Sequence, residues 1–200
     1  MIKNVQKFNS EINFNDLIGS KTILYGETDT KKTYFTSKFV KFLLENINFE
    51  PKLITILDFA PPLYFLNNIK VGGKLEDYYK KCKLCNLINL KSEIIPPRLK
   101  ATNKAELYKN LCHNYKLTNN AFKEFEKKPT PVLIINDISI YLHLGDINYL
   151  LEAINETDTF FGNSYYGFKI KKKFARLLSR KEKKRVELII ENIQNSFFTG

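Results

Sequence analysis

The chain carries short apolar runs that alternate with longer stretches in which apolar residues recur at helical spacing. The apolar runs typical of buried strands are Lys21–Tyr25, Leu53–Asp58 and Val132–Asn136. The last of these, VLIIN, is almost continuously apolar, which predicts a central strand covered on both faces. A further strand is predicted over Thr157–Gly162.

Helices are predicted between and after these strands, because one face of each segment is apolar. The predicted helices are Lys32–Glu45, about Asn103–Lys127, Asp146–Asn155 and roughly Lys172–Asn195, with a shorter one near Leu75–Lys81. Strands that alternate with helices favour a parallel sheet covered on both faces. We therefore predict a three-layer α/β domain with a mostly parallel central sheet. It forms a single domain over residues 1–200, with an irregular insertion at about 63–101.

The length and composition suit one compact domain, since the chain has 200 residues, of which 44% are hydrophobic and 26% charged. No apolar run is long enough to cross a membrane, and Met1 to Phe14 lack a signal-peptide core, so a cytoplasmic protein is expected. The formal net charge of +11 favours nucleic acid or another polyanion as a partner. A composition rich in Lys, Asn and Ile, typical of AT-biased genomes, accounts for part of that charge.

One candidate motif, GETDTKKT, lies at Gly26–Thr33 between a predicted strand and a predicted helix. It matches G-x-x-x-x-G-K-[ST] except that Lys31 stands at the second glycine, which costs ~1–2 kcal/mol if the backbone there needs a positive φ. In such a loop Lys32 reaches the β- and γ-phosphates and the Thr33 hydroxyl ligates Mg²⁺. Backbone N–H groups form the rest of the anion site, here those of Gly26, Glu27, Thr28, Asp29, Thr30 and Lys31. The alternative is an ordinary strand–turn–helix with surface lysines.

Two segments resemble RecA-like ATPase domains of the archaeal recombinase and circadian-clock ATPase type. IGSKTILYGE, at Ile18–Glu27, is similar to the strand that leads into their phosphate loop, and VLIIND, at Val132–Asp137, resembles their Walker B strand. The resemblance implies a P-loop NTPase-like fold with a degenerate Walker A motif, ATP and Mg²⁺ as cofactors, and Asp137 as the residue that holds the metal. The alternative for Asp137 is a turn residue at a strand end.

The resembling ATPases usually carry a glutamate that polarises the attacking water, but no glutamate follows Asp137. Asp58, at the end of the second strand, and Glu27, beside the loop, are the candidates for that role. Asn163 and Ser164 follow a strand predicted to lie beside the Walker B strand. They are therefore candidates for sensing the γ-phosphate or the water.

The aromatic pair that comes next, Tyr165 and Tyr166, contains a candidate for stacking on a base. The alternative for this whole segment, 160–167, is a glycine-bracketed turn with packed aromatic residues.

A basic run follows, with ten cations and one acid, Glu182, between Lys169 and Arg185. Helical spacing directs most of these cations outward. The candidate nucleic-acid-binding residues are Lys171, Lys172, Lys173, Arg176, Arg180 and Lys184. A solvated helix face is the alternative, and Arg176 or Arg180 is also a candidate arginine finger.

The pair Cys82 and Cys85 has the spacing of half a zinc site. The sequence offers no second clean pair, so ordinary reduced thiols are favoured.

Three functions remain open on the sequence alone. The first is a RecA-like ATPase that binds ATP with Mg²⁺ and acts on or near nucleic acid. The second is a small-molecule or nucleoside kinase in which the basic C-terminal segment closes over the phosphates. The third is a non-hydrolysing nucleic-acid-binding or regulatory module. The absence of an N-K-x-D sequence favours ATP over GTP.

Overall fold

The computed structural model describes residues 6–7, 12–66, 69–170 and 173–200. Its main sheet is parallel and has the strand order β1-β9-β2-β8-β7-β3-β6. The strands of this sheet are β1 (Gln6–Lys7), β2 (Lys21–Gly26), β3 (Ile54–Asp58), β6 (Asn86–Leu87), β7 (Val132–Asn136), β8 (Thr159–Tyr165) and β9 (Asn195–Phe198). A separate antiparallel hairpin joins β4 (Tyr64–Leu66) to β5 (Ile69–Val71).

The helices are α1 (Lys32–Glu45), α2 (Pro97–Lys100), α3 (Lys104–Lys127), α4 (Ser139–Leu142), α5 (Ile147–Asn155) and α6 (Arg176–Glu191). Two of their starts are fixed by side chains that accept backbone N–H groups of the first turn. Asn103 accepts from the N–H of Glu106 at the start of α3. Asp146 accepts from the N–H groups of Asn148 and Tyr149 at the start of α5. These caps explain why both helices lie within a residue of their predicted boundaries. None of the helices in the described part of the chain is long and apolar enough to span a membrane.

Successive residues of β7 pack into two different cores, one on each face of the sheet. Leu133 and Ile135 belong to the cluster that includes residues of α3, α5 and α6. Val132 and Ile134 belong to the cluster that includes residues of α1. This alternation is what a central strand buried on both faces requires. The predicted three-layer α/β fold with a mostly parallel sheet is confirmed.

Three local predictions were wrong. The strand predicted over Thr157–Gly162 runs instead from Thr159 to Tyr165, because its residues continue to pair with β2 up to Gly26. Asn163 and Ser164, which were predicted to follow this strand, are therefore part of it. The last predicted helix ends at Glu191, and the residues after it form β9, which pairs with β2. The short helix predicted near Leu75–Lys81 is a pair of 3-10 turns. In each case pairing or packing with distant residues overrides the local pattern.

The insertion after β3 folds back across the carboxyl end of the sheet. The N–H of Gly73 donates to the carbonyl of Pro61 at 3.0 Å. Gly72 has a φ of 80°, and a Cβ there would lie 2.5 Å from the carbonyl oxygen of Pro62, so this turn requires glycine. At strand β5 of the hairpin, the carbonyl of Lys70 accepts the Thr28 hydroxyl at 2.9 Å. The hairpin therefore lies against the Gly26–Thr33 loop.

Candidate phosphate-binding site

The Gly26–Thr33 segment leaves β2 and enters α1, as the motif predicts. Lys31 lies in the left-handed region, with φ 62° and ψ 15°. It therefore adopts the conformation for which the motif reserves glycine, and a lysine holds it at a cost of ~1–2 kcal/mol. Asp29 is also left-handed, with a φ of 60°. The loop keeps a glycine-like backbone although its second glycine is missing.

The side chain of Lys32 turns back over this loop. Its ammonium donates to the carbonyl of Glu27 and to the Thr30 hydroxyl, the latter at 3.1 Å. Burial lowers the pKa of Lys32 to about 8, although the carboxylates of Asp137, Glu27 and Asp29 act in the opposite direction. A desolvated ammonium above a helix N-terminus is a favourable place for an anion.

The flanks of the loop are held by distant parts of the chain. The N–H of Glu27 donates to the carbonyl of Gly200 at 2.9 Å, and the hydroxyls of Thr30 and Thr199 lie 2.7 Å apart. The Glu27 carboxylate accepts the N–H groups of Phe168 and Lys169. Glu27 therefore fastens the segment after β8, which competes with its predicted role beside the attacking water.

A row of hydrogen-bonded polar side chains crosses the carboxyl ends of β8, β7 and β3. The Thr33 hydroxyl donates to Oδ1 of Asn136 at 3.2 Å. Nδ2 of Asn163 donates to the same Oδ1 at 2.8 Å and to the Thr36 hydroxyl at 2.9 Å. Nδ2 of Asn136 donates to Oδ1 of Asp58 at 2.8 Å. The residue opposite Thr33 is thus Asn136, at the last position of β7.

Asp137, the predicted metal ligand, lies one residue further, in a left-handed conformation with a φ of 61°. Its N–H donates to Oδ1 of Asn163 at 3.1 Å, and its carboxylate accepts the Ser139 hydroxyl. Burial raises the pKa of Asp137, the charge of Glu182 adds to this, and Ser139, His143 and Lys32 oppose it. Asp137 lines the same cavity as Lys32. The structure therefore brings Lys32 and Asp137 to one cavity. The Thr33 hydroxyl, however, donates to Asn136, the residue before Asp137.

Asp58, the other predicted catalytic carboxylate, fastens the insertion to the sheet. One of its oxygens accepts the N–H of Leu75 at 2.8 Å, and its other oxygen lies 3.7 Å from the ammonium of Lys74. Burial raises the pKa of Asp58, while Lys74 and the hydrogen bonds from Leu75, Asn136 and Ala60 lower it. Asp58 is not among the residues that line the cavity in the described part of the chain.

A cavity of about 400 Å³ opens beside the loop. One wall consists of residues 28–34, and the opposite wall comes from the insertion and includes Gly72 and Tyr78. Beyond Asp137 the cavity continues to Arg98, His143 and Tyr165. Its size falls in the ordinary range of small-molecule sites, roughly 300–1,000 Å³.

The far end of this cavity holds a buried ionic cluster that the sequence analysis missed. The guanidinium of Arg98 pairs with both oxygens of Glu182, and Nε2 of His143 lies 2.9 Å from Oε1 of Glu182. Although burial alone raises the pKa of Glu182, Arg98 and His143 hold it below its usual range. A signal was present in the sequence, because Leu178, Glu182 and Val186 recur every four residues on the apolar face of α6.

The other predicted cations of α6 lie away from the cavity. Arg176, Arg180 and Lys184 are exposed at four-residue spacing, and in the described part of the chain none of them lines the cavity. Lys171 and Lys172 lie outside the described residues, as does the side chain of Lys173. Arg98, which no local pattern indicated, does line the cavity.

Of the two tyrosines considered for base stacking, Tyr165 lines the cavity and Tyr166 does not. The Arg98 guanidinium lies 5.7 Å from the centre of the Tyr165 ring. Tyr166 instead packs against Tyr25 and donates to the Glu187 carboxylate.

The thiols of Cys82 and Cys85 are buried in the core that includes α1. Burial raises the pKa of Cys82 to about 11 and that of Cys85 to about 12. Among the described residues, no group of three or more His, Cys, Asp or Glu side chains could hold a metal ion. Buried, protonated thiols are inert toward both metals and oxidants.

Comparisons with known proteins identify no family for this chain. No protein-family model matches the sequence, and no curated protein matches it. Among solved structures, the chain is similar to the Pif1 helicase from Candida albicans, with a TM-score of 0.36 and 19% identity. The match covers 90% of this chain and 36% of the helicase, so the chain spans about a third of the length of that protein.

Proposed function

We propose that this protein binds ATP with Mg²⁺ at the Gly26–Thr33 loop. The observation that carries the proposal is the conformation of two adjacent residues. Lys31 adopts the left-handed backbone of the missing glycine, and Lys32 folds its ammonium over the loop. The sequence motif indicates a phosphate-binding loop only when a strand precedes it and a helix follows it, and both are present here.

The bound triphosphate would lie with its terminal phosphates near Lys32. The Thr33 hydroxyl and Oδ1 of Asn136 are both oxygen donors of the kind that Mg²⁺ prefers, and they lie 3.2 Å apart. Both are neutral, so the phosphates supply most of the charge that holds the metal. Asp137 then remains free of the metal and faces the cavity together with Lys32.

We further propose slow ATP hydrolysis, with Asp137 as the carboxylate that orients the attacking water. Lys32 stabilises the charge that develops on the transferred phosphoryl group. Asp137 takes the place in which the resembling ATPases carry glutamate. Its shorter side chain and its bond from Ser139 are consistent with a low rate.

A kinase is the second candidate, because the cavity extends beyond Asp137 to His143 and Tyr165. This space is large enough for a phosphate acceptor in addition to the γ-phosphate. Within the described residues, Arg176 and Arg180 are exposed and do not line the cavity, so they give no support to the lid that a kinase interpretation would assign to this segment.

Titration of fluorescent ATP with Mg²⁺ tests the binding proposal. Lys32→Ala removes a charge-assisted hydrogen bond to phosphate and should weaken binding by roughly 10- to 100-fold. Lys41→Ala is the matched control, because it deletes an exposed lysine of the same helix that is not among the residues lining the cavity in the described part of the chain. Absence of ATP binding to the wild type, or equal losses in both variants, would contradict the proposal.

Phosphate release separates hydrolysis from binding alone. Asp137→Asn should keep ATP binding within a few-fold of the wild type and lower the steady-state rate by roughly 100-fold or more. A rate that rises on addition of nucleosides or other small hydroxyl compounds, with a phosphorylated product, would favour the kinase. Binding without any turnover would leave the regulatory module as the function of this site.

A further inference from the structure

A continuous group of aromatic rings and lysines lies on α1 and the insertion, beside the cavity, and some of its members also line the cavity. We name it the aromatic–lysine strip, and it consists of Tyr34, Lys38, Phe65, Lys70 and Tyr78. The ammonium of Lys38 lies 5.2 Å from the centre of the Tyr34 ring, and the rings of Tyr34 and Tyr78 are 5.9 Å apart. The ammonium of Lys70 lies 4.7 Å from the centre of the Tyr78 ring and donates to its hydroxyl at 2.6 Å. Residues from three separate segments therefore form one surface.

The register of the hairpin adds Phe65 to this surface. Phe65 pairs directly with Lys70 across β4 and β5, so both side chains lie on the same face of the hairpin. The next residue of β5, Val71, faces the other way and is buried. Phe65 is 73% exposed. Exposure of a whole phenylalanine ring next to further aromatic residues is typical of a contact surface.

The insertion that carries Phe65, Lys70 and Tyr78 contains more cations than acids. Residues 59–100 contain eight lysines or arginines and three acids. Two of these acids are already engaged, since Glu76 pairs with Lys83 at 2.6 Å and Asp77 accepts the N–H of Lys74. In the part of the chain that the structure describes, neither Lys38 nor Lys70 forms an ion pair with a carboxylate. The two ammonium groups of the strip are therefore available to an anion.

We propose that the aromatic–lysine strip binds single-stranded nucleic acid. Phe65 and Tyr78 supply faces on which unpaired bases stack, and Lys38 and Lys70 neutralise the phosphates between those bases. Single strands suit such a surface because their bases are open to stacking, whereas a duplex hides the base faces and offers mainly its phosphates. The formal net charge of +11 strengthens the attraction of any such strand to the protein.

The strip shares Tyr34, Lys70 and Tyr78 with the lining of the candidate ATP site. Tyr34 follows Thr33 in the first turn of α1, and the carbonyl of Lys70 accepts the Thr28 hydroxyl. A strand bound here would order both the hairpin and the loop. This coupling depends on the proposed ATP site, whereas binding of nucleic acid to the strip does not.

Fluorescence anisotropy with a labelled 12-nucleotide oligothymidine tests the strip directly. Phe65→Ala should weaken binding by about 5- to 100-fold, as the loss of one stacking contact does. Phe65→Trp keeps an aromatic face and should bind within a few-fold of the wild type. Tyr108→Ala is the matched control, because Tyr108 is an aromatic residue with 63% exposure on α3, outside the strip. A duplex of the same length should bind more weakly than the single strand at the same salt concentration.

Several results would overturn the proposal. They are absence of oligonucleotide binding to the wild type, equal affinity of the Phe65→Ala and Tyr108→Ala variants, and a preference for the duplex. Loss of binding only in the double variant Arg180→Ala/Lys184→Ala would assign nucleic acid to α6 instead. Titration of ATP into Phe65→Ala separates the two proposals, since Phe65 does not line the cavity and its loss should leave ATP affinity unchanged.

Discussion

Asn136 donates from Nδ2 to Oδ1 of Asp58 at 2.8 Å, at the point where two adjacent parallel strands end. The same amide accepts the Thr33 hydroxyl at its oxygen. An amide can bridge a carboxylate on one side and a hydroxyl donor on the other, because it is donor and acceptor at once. This double role explains why an asparagine suits the end of β7.

Asn136→Asp should therefore destabilise the protein, although it places an acidic residue at the end of β7. It places a second carboxylate against Asp58, and a pair of like charges this close costs about 1–3 kcal/mol at pH 7. Urea unfolding measures the loss. The double variant Asn136→Asp/Asp58→Asn restores one donor facing one carboxylate and should recover part of the stability. A loss of stability in the double variant equal to the sum of the losses in Asn136→Asp and Asp58→Asn would argue against a direct contact.

Lys31→Gly should stabilise the protein. Lys31 holds a φ of 62°, which costs a side chain ~1–2 kcal/mol, and glycine removes this cost while adding some freedom to the unfolded chain. The net gain should be about 1 kcal/mol, or a rise of roughly 2–4 °C in Tm for a domain of this size. Lys31→Ala keeps the strained backbone and should show no gain. Equal Tm values for the two variants would mean that the left-handed conformation at this position is not costly.

Lys31 and Asn136 differ in how well their structural roles can be predicted from the sequence. The loop at Gly26–Thr33 is contiguous, so its strand–loop–helix context and the unusual backbone at Lys31 follow from local spacing. The contact between Thr33 and Asn136 joins residues more than a hundred positions apart and depends on strand order, which local patterns do not determine. For the same reason β9 went unpredicted, since Asn195–Phe198 is short and becomes a strand by pairing with β2.

The affinity for ATP should fall as the pH rises above about 8. Burial holds the pKa of Lys32 at about 8 in the free protein, and a triphosphate raises it by favouring the ammonium. Below this pH the lysine is charged both free and bound, so the affinity is constant. Above it, binding requires uptake of a proton, and the affinity drops by up to about tenfold per pH unit. Fluorescent-ATP titrations between pH 7 and 9.5 measure the effect.

The control for this pH dependence is Lys32→Arg. A guanidinium stays protonated over the whole range, so this variant should bind ATP with a weaker affinity that is flat with pH. Parallel profiles for the wild type and Lys32→Arg would show that another group causes the dependence, and the lowered pKa of Lys32 would then have no role in binding.

Glu182→Gln should be the most destabilising conservative change on α6. Glu182 is the shared partner of Arg98 and His143, and loss of its charge leaves the buried guanidinium unpaired, at a cost of about 3–5 kcal/mol. Glu191→Gln, an exposed change at the end of the same helix, should cost almost nothing.

Because Arg98 and His143 hold the pKa of Glu182 below its unfolded value of about 4.3, its contribution is complete above that pH and is lost as the pH falls through the folded value. The difference in unfolding free energy between wild type and Glu182→Gln should thus shrink as the pH falls below about 4. A difference that stays constant down to pH 3 would show that Glu182 acts through its shape and packing, and not through its charge.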